Sequence, residues 1–347
     1  MYQQYEQYNG ENFENGQNNN YDYEKYVRMQ YAKNSDKNIL KKSGRTFAFS
    51  ICAYFLLAFL MGIFIKFIVG KFPDYKVIVN NFLSLSGLTI IESILFLGLP
   101  FLISYIILKK RKITGMIPLG TTYNKKASAY IVMFMLPVVM LSTMFINYVS
   151  IIIQGISGLS FESGLENIRF TGPLEIIMAV ISMALVPAII EEFVVRGVIL
   201  QPLRRYGDMF AVVVSALIFS FMHGNMVQIP YAFVGGIYFG LVAVATGSIW
   251  PTIILHFLNN LFSVIVTAVD CNVSMAAANV VAITMTLIMV IVGIVGAVLF
   301  YRMNYKIHIA KGVQTLKLSE KLSAFFLNPY MIIAFVYVLF STMGSIS

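Results

Sequence analysis

The chain has 347 residues, of which 58% are hydrophobic and 12% charged, with a formal net charge of +9. Soluble domains carry roughly twice that charged fraction. With a mean hydropathy of +0.77, the composition excludes an ordinary soluble domain and points to a polytopic membrane protein.

Residues 1 to about 44 are polar and include the run Asn15-Gly16-Gln17-Asn18-Asn19-Asn20. Such a segment buries too little apolar area to offset the entropy of ordering, so a disordered cytoplasmic tail is expected. It lacks the apolar centre of a signal peptide. Eight apolar spans follow, at about 46–69, 85–108, 127–154, 173–203, 209–224, 229–247, 250–268 and 276–301. A bilayer crossing needs about 20 such residues. The expected fold is therefore all-α, a membrane-embedded helix bundle over 45–303. Residues 304–347 read as a basic cytoplasmic linker followed by a weaker ninth candidate at about 324–342, which Asn328-Pro329 interrupts early. Cys52 and Cys271 lie far apart and imply neither a disulfide framework nor a thiolate metal site.

The loops give an orientation. Lys109, Lys110, Arg111, Lys112, Lys125 and Lys126 fill the second loop, Arg204 and Arg205 the fourth. Arg302, Lys306, Lys311, Lys317 and Lys321 follow the eighth span. These loops all fall on the side of the N-terminus, whereas the third loop carries Glu162 and Glu166. The positive-inside rule then places the N-terminus in the cytoplasm. Because the basic residues sit between spans, they orient the protein and do not form a nucleic-acid surface.

Span four carries the unusual chemistry. It opens with Thr171, Pro173 and Glu175, which are helix-start signals. Pro187 removes one helix hydrogen bond and frees the carbonyl of Met183, so a kink or wetted break is expected one turn before Glu191. Glu191, Glu192 and Arg196 then place three charges in an apolar segment, where ionisable groups are functional by default. Glu192 and Arg196 are spaced for an i,i+4 ion pair, while Glu191 is rotated about 100° away. Two readings stand side by side. Either Glu192–Arg196 is structural and Glu191 is free for chemistry, or all three form a buried structural network. In span six, Gly236-x-x-x-Gly240 is a close-packing pattern. His223 ends span five, four residues after Phe219, and His256 and Asn260 share a face of span seven. His308 lies in a basic segment and reads as solvated.

One carboxylate and two imidazoles suit a catalytic zinc site of Glu191, His223 and His256 with an open position. They suit equally a metal-free site in which Glu191 and His223 activate a water while His256 and Asn260 hydrogen-bond the oxyanion. Either arrangement hydrolyses an acyl bond. Counting residues raises one difficulty: Glu191 and His256 fall in the cytoplasmic half of their spans, and His223 near the outer end of span five. A common site requires span five to tilt or to start deep.

Glu191-Glu192-x-x-x-Arg196, Phe219-x-x-x-His223 and His256-x-x-x-Asn260, in that order on separate spans, resemble the three motifs of the CPBP family. This family comprises type II CAAX prenyl endopeptidases and bacteriocin-processing or self-immunity proteins. The resemblance covers roughly residues 170–265. It implies an eight-helix intramembrane endopeptidase whose site opens to the cytosol, with Glu191 and His223 on the water and His256 and Asn260 on the oxyanion. Glu192, Arg196 and Phe219 would support them. The metal is open in the family, although the chain lacks the His-Glu-x-x-His pattern of zincins. The implied partners are membrane lipid and a membrane-associated peptide, either lipidated or bacteriocin-like. The Asn- and Lys-rich composition suggests the plasma membrane of a low-GC bacterium. Two other classes fit part of the pattern. A transporter or proton relay would use Glu92, a further intramembrane carboxylate, and a catalytically silent immunity protein would keep only the fold.

Overall fold

The computed structural model describes residues 16–72, 81–158, 169–170 and 172–344, and among these every regular element is a helix. In chain order they are α1 (Gly16–Lys71), α2 (Phe82–Lys110), α3 (Lys125–Ser157), α4 (Pro173–Tyr206) and α5 (Asp208–Met222). Then come α6 (Gln228–Thr246), α7 (Trp250–Asn272), α8 (Met275–Arg302), α9 (Leu318–Phe326) and α10 (Pro329–Gly344). Seven of them are long and apolar enough to cross a membrane, and the α9–α10 pair makes an eighth if it counts as one span. The chain is a polytopic helical bundle. Thr171, Glu162 and Glu166 lie outside the described residues.

One sequence expectation changes. The tail expected to be disordered is helical from Gly16, and residues 1–15 lie outside the described residues. The helix persists because its polar sequence still buries one face: Asp36, Leu40 and Ser43 are buried. The carboxylate of Asp36 accepts hydrogen bonds from Arg205 at 2.7 Å and 3.0 Å and from Thr315 at 2.6 Å, and the Tyr206 hydroxyl donates to the Asp36 carbonyl. The linker expected after α8 is likewise pinned. Asp208 and Ala310 exchange hydrogen bonds through Asp208 N–H and Oδ2, and the Val313 N–H donates to the Arg205 carbonyl. Gly207 (φ +116°) and Gly312 (φ +69°) allow this approach, since a Cβ on Gly312 would meet the Gly207 backbone. Replacing Asp36 with alanine leaves Arg205 and Thr315 without their buried acceptor. We expect a loss of about 1–3 kcal/mol and faster proteolysis within residues 23–44, measured in detergent.

The ninth apolar stretch is broken. α9 and α10 meet at 80° because Asn328 ends one helix and starts the next: its amide donates to Phe325 O, and its Oδ1 accepts from Met331 N–H. α10 then packs against α1 and α5 through Phe335, which meets Phe221 and Phe326, and Tyr337, which meets Phe55.

The second, fourth and eighth loops gather on one side, as the charge pattern requires. Tyr123 N–H donates to Thr246 O, Tyr123 also hydrogen-bonds Arg204, and Lys321 donates to Tyr206 O at 2.8 Å. α5 has fifteen residues, short for a crossing. It tolerates this because it lies largely inside the bundle, where protein surrounds its ends. α5 and α6 pack closely at the glycine pair: a Cβ on Gly236 would stand 3.0 Å from Ala216 Cβ, and one on Gly240 would stand 3.0 Å from Val212 Cγ1. Gly236→Val is therefore expected to push these helices apart and destabilise the protein by about 1–3 kcal/mol, read as a lower unfolding midpoint in detergent.

Candidate active site

Three wide turns adjoin one region. Once in α2 and twice in α4, i→i+5 hydrogen bonds replace the normal ladder over six or seven residues, ending with Leu99 N–H to Ile94 O, Val186 N–H to Ile181 O, and Leu200 N–H to Val195 O. Such turns rotate the following side chains off the regular helical face and recur at functional sites. The second contains Met183, whose carbonyl Pro187 deprives of its helix partner. Asn260 of α7 supplies the replacement, donating from Nδ2 to Met183 O at 3.3 Å. In place of the kink or break expected from Pro187 the helix runs on through a wide turn, and a motif residue from another helix takes up the freed carbonyl.

The i,i+4 pair expected from spacing forms. Arg196 and Glu192 are fully buried, with Nη1 of Arg196 donating to Glu192 Oε1 at 2.8 Å and Nη2 to the Gly236 carbonyl at 2.9 Å. The guanidinium lies between the rings of Phe219 and Phe239, 5.1 Å and 5.3 Å from their centroids, so aromatic faces cover the cation. The same Glu192 Oε1 stands 3.0 Å from Nδ1 of His256. Phe239 stacks on the His256 ring at 5.1 Å and fixes its plane. The other ring nitrogen, Nε2, lies 3.8 Å from Glu191 Oε2. Glu192 is therefore held by structure, and Glu191, 21% exposed, is the carboxylate with access to open space.

That space is a cavity of about 160 Å³ lined by Tyr54, Leu97, Glu191, Phe219, Met222, His223 and Gln228. His223 turns Nδ1 to the Phe219 carbonyl at 2.9 Å, and its ring stands edge-on to the Phe219 ring. The depth difficulty resolves in the turn between α4 and α5. Glu191 lies sixteen residues before Gly207 and His223 sixteen residues after it, on antiparallel neighbours. Both reach about 24 Å from that turn. Counting failed because it took span five to cross the whole bilayer, whereas α5 ends at Met222 after fifteen residues.

Of the seven residues singled out from sequence, Glu191, Phe219 and His223 line the cavity. Glu192, Arg196 and His256 form the support behind it. Asn260 faces Met183 and accepts from Asn259 Nδ2 at 3.3 Å, apart from the cavity lining. Tyr54, Leu97, Met222 and Gln228 were not anticipated, nor was Phe239, although Phe239 lies three residues after Gly236 on the face that packs inward. Among the described residues no three His, Cys, Asp or Glu side chains stand together to hold a metal ion. The zinc arrangement of Glu191, His223 and His256 therefore does not fit this geometry.

Residues 173–262 match the family model described as Type II CAAX prenyl endopeptidase Rce1-like. The match supports a CPBP family intramembrane protease. It spans about a quarter of the 347 residues and contains all seven motif residues. No curated protein and no solved structure gives a match. The Rce1-like family indicates a hydrolase of the protease class, and the apolar helices make it an integral, multi-pass membrane protein. Tyr54 and Leu97 reach the cavity from helices outside the Rce1-like segment.

Proposed function

We propose that the protein is an intramembrane endopeptidase in which Glu191 is the general base and a water in the 160 Å³ cavity is the nucleophile. The observation that carries this reading is the division of labour between adjacent carboxylates: Arg196 and His256 take up Glu192, while Glu191 shares the open cavity with His223. Glu191 accepts the water proton as oxygen attacks the peptide carbonyl, and returns it to the leaving amine. His223 holds the water on the other side. His256, with Nδ1 on Glu192 and Nε2 3.8 Å from Glu191, ties the two carboxylates together behind the cavity and so sets the position of the base. Asn260, bound to the Met183 carbonyl outside the cavity lining, supports the wide turn that precedes Glu191.

The substrate is a membrane-associated peptide cut close to the bilayer surface. Along α1, Tyr54 lies eight residues past the start of the apolar stretch near residue 46, or about 12 Å into the membrane from the basic side. The positive-inside rule makes that side cytoplasmic. The test is a comparison of membrane-peptide termini in cells carrying wild type or Glu191→Ala. Termini that vanish in the variant at equal protein abundance support the reading and supply the substrates. Identical peptide sets would sink it and favour a transporter or a silent immunity protein.

A further inference from the structure

Glu92 is an acid in the middle of a candidate span that the proposed chemistry leaves unused. Among the described residues it has no ion-pair partner, and its carboxylate Oε1 accepts a single hydrogen bond, from the Tyr54 hydroxyl at 3.2 Å. An acidic side chain in an apolar span needs a reason to be there. It sits at the start of the wide turn in α2, and that same turn carries Leu97 into the cavity wall. Tyr54 lines the cavity with Glu191 and His223.

The cavity must take in both halves of a peptide bond. In a site with little water, the amide N–H of that bond needs an acceptor or it remains desolvated and unpaired. Glu191 is committed to the water. Tyr54 is the group whose proton is already directed elsewhere: its O–H donates to Glu92, which leaves the lone pairs of its oxygen for another donor. Resting on the protease reading, we infer that Tyr54 accepts the scissile amide N–H, and that Glu92 is a positioning residue that turns the phenol proton away from the substrate. This assigns the first two helices, outside the Rce1-like segment, a direct part in substrate alignment.

The test uses the full-length protein in detergent and a quenched peptide spanning a cleavage site that Glu191→Ala abolishes in cells. Its partner probe is the same peptide with the scissile N–H replaced by an ester oxygen. Tyr54→Phe keeps the ring and removes the acceptor, so cleavage of the amide should fall about tenfold, as for one lost hydrogen bond, while ester cleavage stays within twofold of wild type. Glu92→Leu should follow Tyr54→Phe, and Glu92→Gln, whose amide oxygen still accepts the phenol proton, should restore amide cleavage. Equal losses on amide and ester, or no loss on either, would overturn the inference while Glu191→Ala remained inactive on both. If Glu191→Ala changes no termini in cells, the protease reading fails first and this inference falls with it.

Discussion

Replacing Glu191 with alanine is expected to reduce hydrolysis by about 10²–10⁴-fold or more while the protein stays in the membrane at wild-type abundance. Both halves of that expectation come from geometry. The side chain touches open space and its neighbour's ring nitrogen at 3.8 Å, so its removal exposes no buried cation and opens no sealed core. Arg196 keeps Glu192 at 2.8 Å and the Gly236 carbonyl at 2.9 Å, and His256 keeps Glu192 at 3.0 Å. The fold therefore loses nothing it depends on, but the water loses its base. The measurement pairs product termini with immunoblot abundance of the same membranes. Full activity in the variant would remove Glu191 from the chemistry, and a collapse in abundance would make it structural instead.

How much of this was legible beforehand depended on the range of the interaction. Spans, loop charge and the Glu192–Arg196 pair follow from local spacing, because period and i,i+4 geometry are properties of one helix. The freed Met183 carbonyl also followed from Pro187 alone. What sequence lacked was register between helices. It did not show that Asn260 meets Met183, that Phe239 stacks on His256, or that Tyr54 of α1 stands in the cavity of α4 and α5. Those are long-range contacts with no local signature. The tail misled for a related reason. Its composition argues for disorder, yet Asp36 is secured by Arg205 and Thr315, far away in the chain. Partners distant in sequence supply the stability that composition denies.

The same logic makes the Glu192–Arg196 pair the largest expected effect on folding. Both side chains are 0% exposed, so neither charge has water to fall back on. Arg196→Leu leaves a buried carboxylate without its cation, and Glu192→Leu leaves a buried guanidinium against the Gly236 carbonyl and two aromatic faces without its paired carboxylate. Each single change is expected to cost about 3–5 kcal/mol and to lower both membrane abundance and the unfolding midpoint in detergent. The double variant, Leu at both positions, removes both charges at once and should recover most of the loss, because well-packed apolar replacements of buried pairs are often neutral. Recovery of stability should not bring recovery of cleavage. Without Glu192 the His256 ring loses the acceptor that orients Nδ1, so the repaired protein should fold and remain slow. Losses that simply add in the double variant would show that the two residues act independently, and the buried pair would then not be the anchor of α4.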